Sequence, residues 1–331
     1  MQPDTLTLIR TTSCQAVATT LAGIGLLSLS NGAFAATSGS NSIIAQRFVA
    51  EQMLATDLQV LAVRTQMNDL RKRLGNIRTT GKESGVWVRA NGGNFSGEAK
   101  FDGDFTLLQL GVDTLPAAGY PRLGAAFTYQ ATEAFNAFAL ADSDAYSLAG
   151  YAVWTLDNGA FIDIIGRVAN VDINLAASGG QTSLEQDLYS LSLEGGHRFG
   201  FAGTFFLEPG FEFTYTYLKG DDYTLAGVKR MVDDIDSVIA RFGFTFGKSC
   251  PSGFGDMYIR AAALHEFLGD TKMKMGSGKL ERNGEDAWFE YGIGADFNLN
   301  RRTYIYLDLE RTAGASIDED WRANLGVRFN Y

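Results

Sequence analysis

A closed antiparallel β-barrel that faces lipid, entered by a long α-helix, is the fold class this sequence predicts, and three observations carry it. The last eleven residues alternate without a slip: Trp321, Ala323, Leu325, Val327, Phe329 and Tyr331 share one face, and Arg322, Asn324, Gly326, Arg328 and Asn330 the other. From Gly85 onward, runs of this period recur twelve times, an even number as closed outer-membrane barrels require. Tight connections at Asp157-Asn158-Gly159, Gly200 to Gly203 and Leu299 to Arg302 alternate with longer polar ones at 176–185, 220–234 and 270–285, as periplasmic turns alternate with outer loops. A soluble sandwich has no reason to send every second connection long.

Residues 1–35 read as a signal peptide. Arg10 precedes an apolar stretch from Ala16 to Leu29, too short to span a bilayer as a helix, and Ala33-Phe34-Ala35 forms a small-x-small cleavage site. Residues 36–42 are then a short residual N-terminal segment. Cys14 leaves with the signal, so Cys250 is expected as the lone cysteine of the mature chain, which excludes an internal disulfide framework.

Residues 43–84 are expected to be a helix and a linker into the barrel lumen. Between 43 and 78 there is no proline and one glycine, while Met53, Leu54, Leu58, Leu61, Met67, Leu70, Leu74 and Ile77 recur mostly at intervals of three or four. A helix of about 30 residues is roughly 45 Å long, enough to cross a membrane barrel from rim to rim. Arg64, Arg71, Arg73 and Arg78 give it a basic face, with Lys72 beside them.

The barrel domain occupies 85–331. Strands are expected near 85–95, 101–114, 120–132, 144–156, 159–173, 186–200, 203–219, 235–249, 255–269, 283–299, 302–313 and 320–331. Phe289, Tyr291, Ile293, Ala295, Phe297 and Leu299 oppose Glu290, Gly292, Gly294, Asp296 and Asn298; Phe205, Leu207, Phe211, Phe213, Tyr215 and Tyr217 have Glu208 and Glu212 behind them. Taking the apolar face as the outer one makes the polar face the lumen. Its charges are then Arg89, Asp163, Arg167, Glu194, Arg198, Glu208, Glu212, Arg241, Arg260, Glu290, Asp296, Asp308, Glu310, Arg322 and Arg328. Charges in a confined space must be paired or hydrated, so the basic face of the helix is expected inside, opposite some of these carboxylates. Pro209 falls on the lipid-facing register and cannot donate a ladder hydrogen bond, so an irregularity is expected there.

Composition excludes other classes. A chain of 331 residues with 46% hydrophobic content looks soluble in bulk, because barrel strands place their lipid face in every second position. A net charge of −10 and no basic patch disfavour nucleic acid. After the signal only His197 and His265 remain as histidines, and neither belongs to a nucleophile motif; no catalytic residue, metal site or cofactor is expected.

Several segments carry a family resemblance: Asn68-Asp-Leu-Arg-Lys-Arg-Leu-Gly-Asn-Ile-Arg78 ahead of Gly85-Val-Trp-Val-Arg-Ala-Asn-Gly-Gly93, then Gly150-Tyr-Ala-Val-Trp154 with Asn158-Gly-Ala-Phe-Ile-Asp163, Tyr189-Ser-Leu-Ser-Leu-Glu-Gly-Gly196 with Phe206-Leu-Glu-Pro209, and the terminal Asn324 to Tyr331. In their order and spacing the chain resembles the autotransporter β-domain, the translocator unit of type V secretion. The resemblance implies a twelve-stranded barrel of the Gram-negative outer membrane, with a helix through its pore and a passenger displayed outside the cell at the helix N-terminus. It implies lipid, the barrel-assembly machinery and periplasmic chaperones as partners of a monomer, and an assembly signal in Val327, Phe329 and Tyr331. The family usually ends in Phe or Trp, so Tyr331 departs from it. Cleavage near Ala35 would leave only a few dozen residues ahead of the barrel, so no sizeable passenger is expected. Some members sever the passenger by cyclisation of an asparagine; Asn68 falls at the matching place, but Asp69 stands where those members have a second Asn. The plain alternative is that Asn68 is a polar residue on a buried helix. A channel or porin-like barrel with a helical plug, and an outer-membrane hydrolase, are the competing readings.

Overall fold

The computed structural model describes residues 49–65, 83–97, 101–117, 119–250, 254–276 and 278–331. One helix, α1, covers residues 49–65. The strands are β1 (Gly85–Gly97), β2 (Phe101–Thr114), β3 (Arg122–Phe135), β4 (Ala139–Thr155), β5 (Ala160–Ala177), β6 (Gly180–His197), β7 (Phe199–Phe201), β8 (Phe205–Leu218), β9 (Asp222–Leu225), β10 (Val228–Val232), β11 (Ile235–Ser249), β12 (Gly255–Glu266), β13 (Thr271–Met275), β14 (Gly278–Arg282), β15 (Asp286–Asn298), β16 (Thr303–Ala313) and β17 (Ile317–Asn330).

Thirteen of these strands form one antiparallel sheet that closes on itself through β8 with β11 and β1 with β17. The three-residue β7 pairs only with β8, so twelve strands make the wall. They match the expected runs to within a few residues at most ends. The register of β1 with β17 shifts at Asn94/Phe95. At Pro209 the ladder of β8 with β6 stops at Gly210, and β7 takes over from Leu207, the irregularity a missing donor imposes.

Three expectations need correction or restriction. Residues 176–185 are not a polar loop: β5 runs on to Ala177 and β6 starts at Gly180. Residues 220–234 and 270–285 are not irregular either, for they hold the hairpins β9–β10 and β13–β14, which join in a four-stranded sheet of order β14-β13-β10-β9. The expected helix is described from 49 to 65, and its remaining residues lie outside the described ones.

A further departure concerns the faces. On β2 the outward residues run Asp102, Asp104, Thr106, Leu108, Leu110 and Val112, while the inward ones run Phe101, Gly103, Phe105, Leu107, Gln109, Gly111 and Asp113. The apolar side thus switches from inside to outside along one strand. β5 repeats this, with Asn170, Asp172 and Asn174 outside Val171, Ile173 and Leu175, but Ile162 and Ile164 outside Asp163. Eighteen residues in β5, rising about 3.3 Å each and tilted by about 40°, give a height near 45 Å, well above a hydrocarbon core of about 30 Å. The loop end of the wall therefore stands in water and forms a collar with a dry inside, whereas the other end faces lipid. On β2 and β5 the inner face is therefore most apolar at the loop end and carries its charges in the lipid-facing part.

Candidate functional site

α1 is enclosed by the collar. From Glu51 to Thr65 every residue but Met53 is buried. Leu54, Ala55, Leu58, Leu61 and Ala62 join one apolar cluster with Phe95, Phe101 and Phe105 of the wall, Val171, Ile173, Leu175 and Leu184 of β5 and β6, and Tyr223, Leu225, Val232 and Met273 of the hairpins. The helix carries period-3.6 apolar positions on more than one side because wall and hairpin sheet both meet it.

Its polar residues are fixed individually. Arg64 reaches Glu266 at 3.2 Å and Asp286 at 2.8 Å, the last residue of β12 and the first of β15, and its guanidinium lies 4.4 Å from the ring centre of Trp288. Asp57 pairs with Arg282 of β14. Gln59 Nε2 donates to Gln186 Oε1 at 2.8 Å, Gln130 Nε2 donates to Thr65 Oγ1 at 3.1 Å, and Asn136 Nδ2 donates to the Ala50 carbonyl at 2.8 Å. Tyr223 donates its hydroxyl to Gln52 Oε1 at 2.7 Å, and burial pushes that hydroxyl's pKa well up, so it stays a donor. These contacts reach β3, β6, β9, β12, β14 and β15, so the helix is held from nearly all sides.

Below the helix the wall carries the charges expected from alternation. Arg89, Asp163, Arg167, Glu194, Glu212, Arg241, Glu290, Asp308 and Arg328 are all buried on the inner face, and Glu208 is half-buried there. Arg241 pairs with Glu290 at 3.1 Å, and Arg260 with Asp308 at 2.7 Å and Glu310 at 3.0 Å. Arg322 pairs with Glu319. Asp163, Glu194 and Glu212 stand opposite one another on β5, β6 and β8 as a row of carboxylates beside Arg241. At the turn end Arg198 reaches Asp256 at 2.5 Å and covers the Phe206 ring. Close packing of this wall rests on glycine beneath aromatic rings: a Cβ on Gly111 would meet Trp87 at 2.3 Å, and one on Gly326 would meet Tyr306 at 2.0 Å.

Of the basic helix face, Arg64 is placed; Arg71, Arg73 and Arg78, together with Asn68 and Asp69, lie outside the described residues. Phe329 and Tyr331 project outward at the end of the chain, with Val327 half-buried on the same face. Sequence reasoning missed Asp57, Arg282, Glu266 and Asp286. A signal existed for Asp57, an acid set between Leu54, Leu58 and Leu61 that a buried helix carries only with a partner. No periodicity points to Arg282, which sits in a short hairpin.

The sequence model of the autotransporter β-domain family matches residues 86–310. The serine protease EatA of Escherichia coli O78:H11 is 25% identical over 282 residues, which is 81% of this chain and 21% of that protein. The pertactin autotransporter of Bordetella parapertussis is 27% identical over 285 residues, 80% of this chain and 31% of that one. The chain thus spans between about a fifth and a third of the length of these relatives. Among solved structures, the β domain of the Bordetella autotransporter BrkA is similar with a TM-score of 0.60 and 23% identity, covering 75% of this chain and 100% of the other. The translocator domain of NalP from Neisseria meningitidis is similar with a TM-score of 0.69 and 12% identity, covering 83% and 98%. These structural likenesses speak for the fold.

Proposed function

The chain belongs to the autotransporter β-domain family, an outer-membrane translocator family, and on that premise we propose that it carries polypeptide attached at the N-terminus of α1 to the cell surface and then retains α1 as a plug. The observation that supports this reading is the direction of the helix. Its first residues meet the loop end, where Ala50 takes the Asn136 side chain and Glu51 accepts from Ser178, while the wall strand that follows it begins at the turn end with Gly85. The start of α1 and the start of β1 thus lie at opposite ends of the barrel. Lipid, the barrel-assembly machinery and periplasmic chaperones are the partners this reading needs, with Val327, Phe329 and Tyr331 as the edge an assembly factor would engage.

The same reading makes the β-domain a wall and a plug with no chemistry of its own. His197 stacks on Phe199, and His265 packs edge-on against Phe267 with Glu285 3.7 Å away, arrangements that serve packing. EatA is named a serine protease as a whole protein, and the matched part is a fifth of it.

The test is surface proteolysis of cells carrying an epitope tag ahead of residue 49, combined with planar-bilayer conductance. The tag is expected at the surface, with a large conductance increase when residues 43–80 are deleted. A tag that stays in the periplasm, or conductance unchanged by the deletion, sinks the proposal; high conductance of the intact protein favours the channel reading.

A further inference from the structure

Just ahead of β1, two buried side chains converge on one backbone carbonyl. Arg122 of β3 donates through Nη1 to the Glu83 carbonyl at 2.7 Å, and Arg328 of β17 donates through Nη2 to the same oxygen at 3.1 Å. Both guanidinium groups are held by one carboxylate. Asp113 of β2 accepts from Arg328 through both of its oxygens at 2.6 and 2.8 Å and from Arg122 at 2.7 Å. The side chains of Asp113 and Arg328 are fully buried. Tyr151 donates to Asp113 at 3.2 Å and is itself fixed by the Trp87 ring nitrogen at 3.1 Å.

We infer that Arg122 and Arg328, organised by Asp113, form a carbonyl clamp that grips the backbone at Glu83 and sets the point where the translocated chain passes from lumen to wall; this rests on the translocator reading above. A guanidinium carries five N–H donors, more than one carboxylate can take up, and in a buried place donors need acceptors. A main-chain carbonyl is such an acceptor, and charge-assisted bonds to it are stronger than neutral ones. The chain is shaped to fit. A Cβ on Gly85 would lie 2.7 Å from the Arg328 guanidinium, so only glycine lets the strand pass over the clamp. The neighbouring residues are held from both flanks, by the Tyr331 amide donating to the Ser84 carbonyl at 3.0 Å and by the Ser84 and Thr114 hydroxyls bonded at 2.9 Å. Arg122 and Arg328 are thus positioning residues, and they read backbone; the side chain at 83 has no part.

The experiment compares Arg122→Ala, Gly85→Ala and Glu83→Ala in the full chain with the epitope tag ahead of residue 49. Heat-modifiable gel mobility reports the folded barrel, and surface proteolysis reports delivery. Arg122→Ala keeps the Asp113 pair with Arg328, so it is expected to fold while surface tag falls about fivefold, as loss of the charge-assisted hydrogen bond to the Glu83 carbonyl allows. Gly85→Ala should do the same from the chain's side, and Glu83→Ala should match the wild type in both readouts. Undiminished surface tag in Arg122→Ala overturns the clamp. So does equal loss in Glu83→Ala, or loss of the folded form in Arg122→Ala, which would make Arg122 part of the barrel seam instead. Absence of tag from the surface of wild-type cells sinks the translocator reading, and the clamp's purpose with it.

Discussion

Arg64 does more than neutralise a charge, because its two carboxylate partners stand at the two roots of the β13–β14 excursion and its third contact is an aromatic ring. Replacing it by methionine keeps much of the volume but leaves Glu266, itself buried, without its cation. Stability should fall by about 3 kcal/mol, the usual cost of breaking a buried pair from one side. The temperature at which the folded band disappears on gels measures this, and the double variant Arg64→Met, Glu266→Gln should regain part of the loss. An unchanged transition in the single variant would show that Arg64 is hydrated. Asp234 gives a pH dependence in the loop that leads into β11. The Gly220 amide, donating at 2.8 Å, and the Tyr217 hydroxyl hold its carboxyl below the usual aspartate range. The sign follows from that direction: the contribution is present in full above the ordinary aspartate pKa of about 3.9 and is lost as pH falls through the lowered value. Exchange of the Gly220 amide should therefore accelerate only on strong acidification, and Asp234→Asn should abolish the pH effect.

At the scale of elements, the hairpin sheet decides how firmly α1 is held. Tyr223, Leu225, Val232 and Met273 complete the cluster around the helix, and Arg282 supplies its second ion pair. Replacing 271–282 by a short Gly-Ser linker should leave the folded barrel intact on gels while raising conductance and exposing α1 to protease; protection equal to that of the wild type would assign the seat to the wall alone. The strands were legible because alternation is local, and the terminal strand was the plainest of them. The hairpins were not, since β10, β13 and β14 have five residues each and β9 four, too short for a period to stand out from polar loop sequence. The collar was hidden for a different reason. Its strands alternate as well as the others, but the apolar residues change sides, and only the adjacent pair Leu107-Leu108 marks where β2 does so. The inner-wall charges could be read from register, while pairings such as Arg241 with Glu290 and Arg260 with Asp308, which join residues dozens of positions apart, could not.

For the whole molecule, the change of sides fixes where the bilayer ends. Leu110 and Asp102 lie on the same outer face of β2, eight positions apart, yet one meets lipid and the other water. Leu110→Arg should cost about 2–4 kcal/mol, as a cation near the midplane of a barrel does, whereas Asp102→Arg should stay within about 0.5 kcal/mol. Denaturant titration in liposomes measures both, and equal costs would erase the boundary drawn here. The acidic rim has a consequence for biogenesis. Asp102, Asp104, Glu133, Asp142, Asp172 and Glu185 all point away from the lumen at the loop ends of their strands. A precursor arriving from the periplasm must bring every one of them through an oily layer before the barrel can stand upright. The first hydrophilic freight this protein moves across the membrane is its own crown.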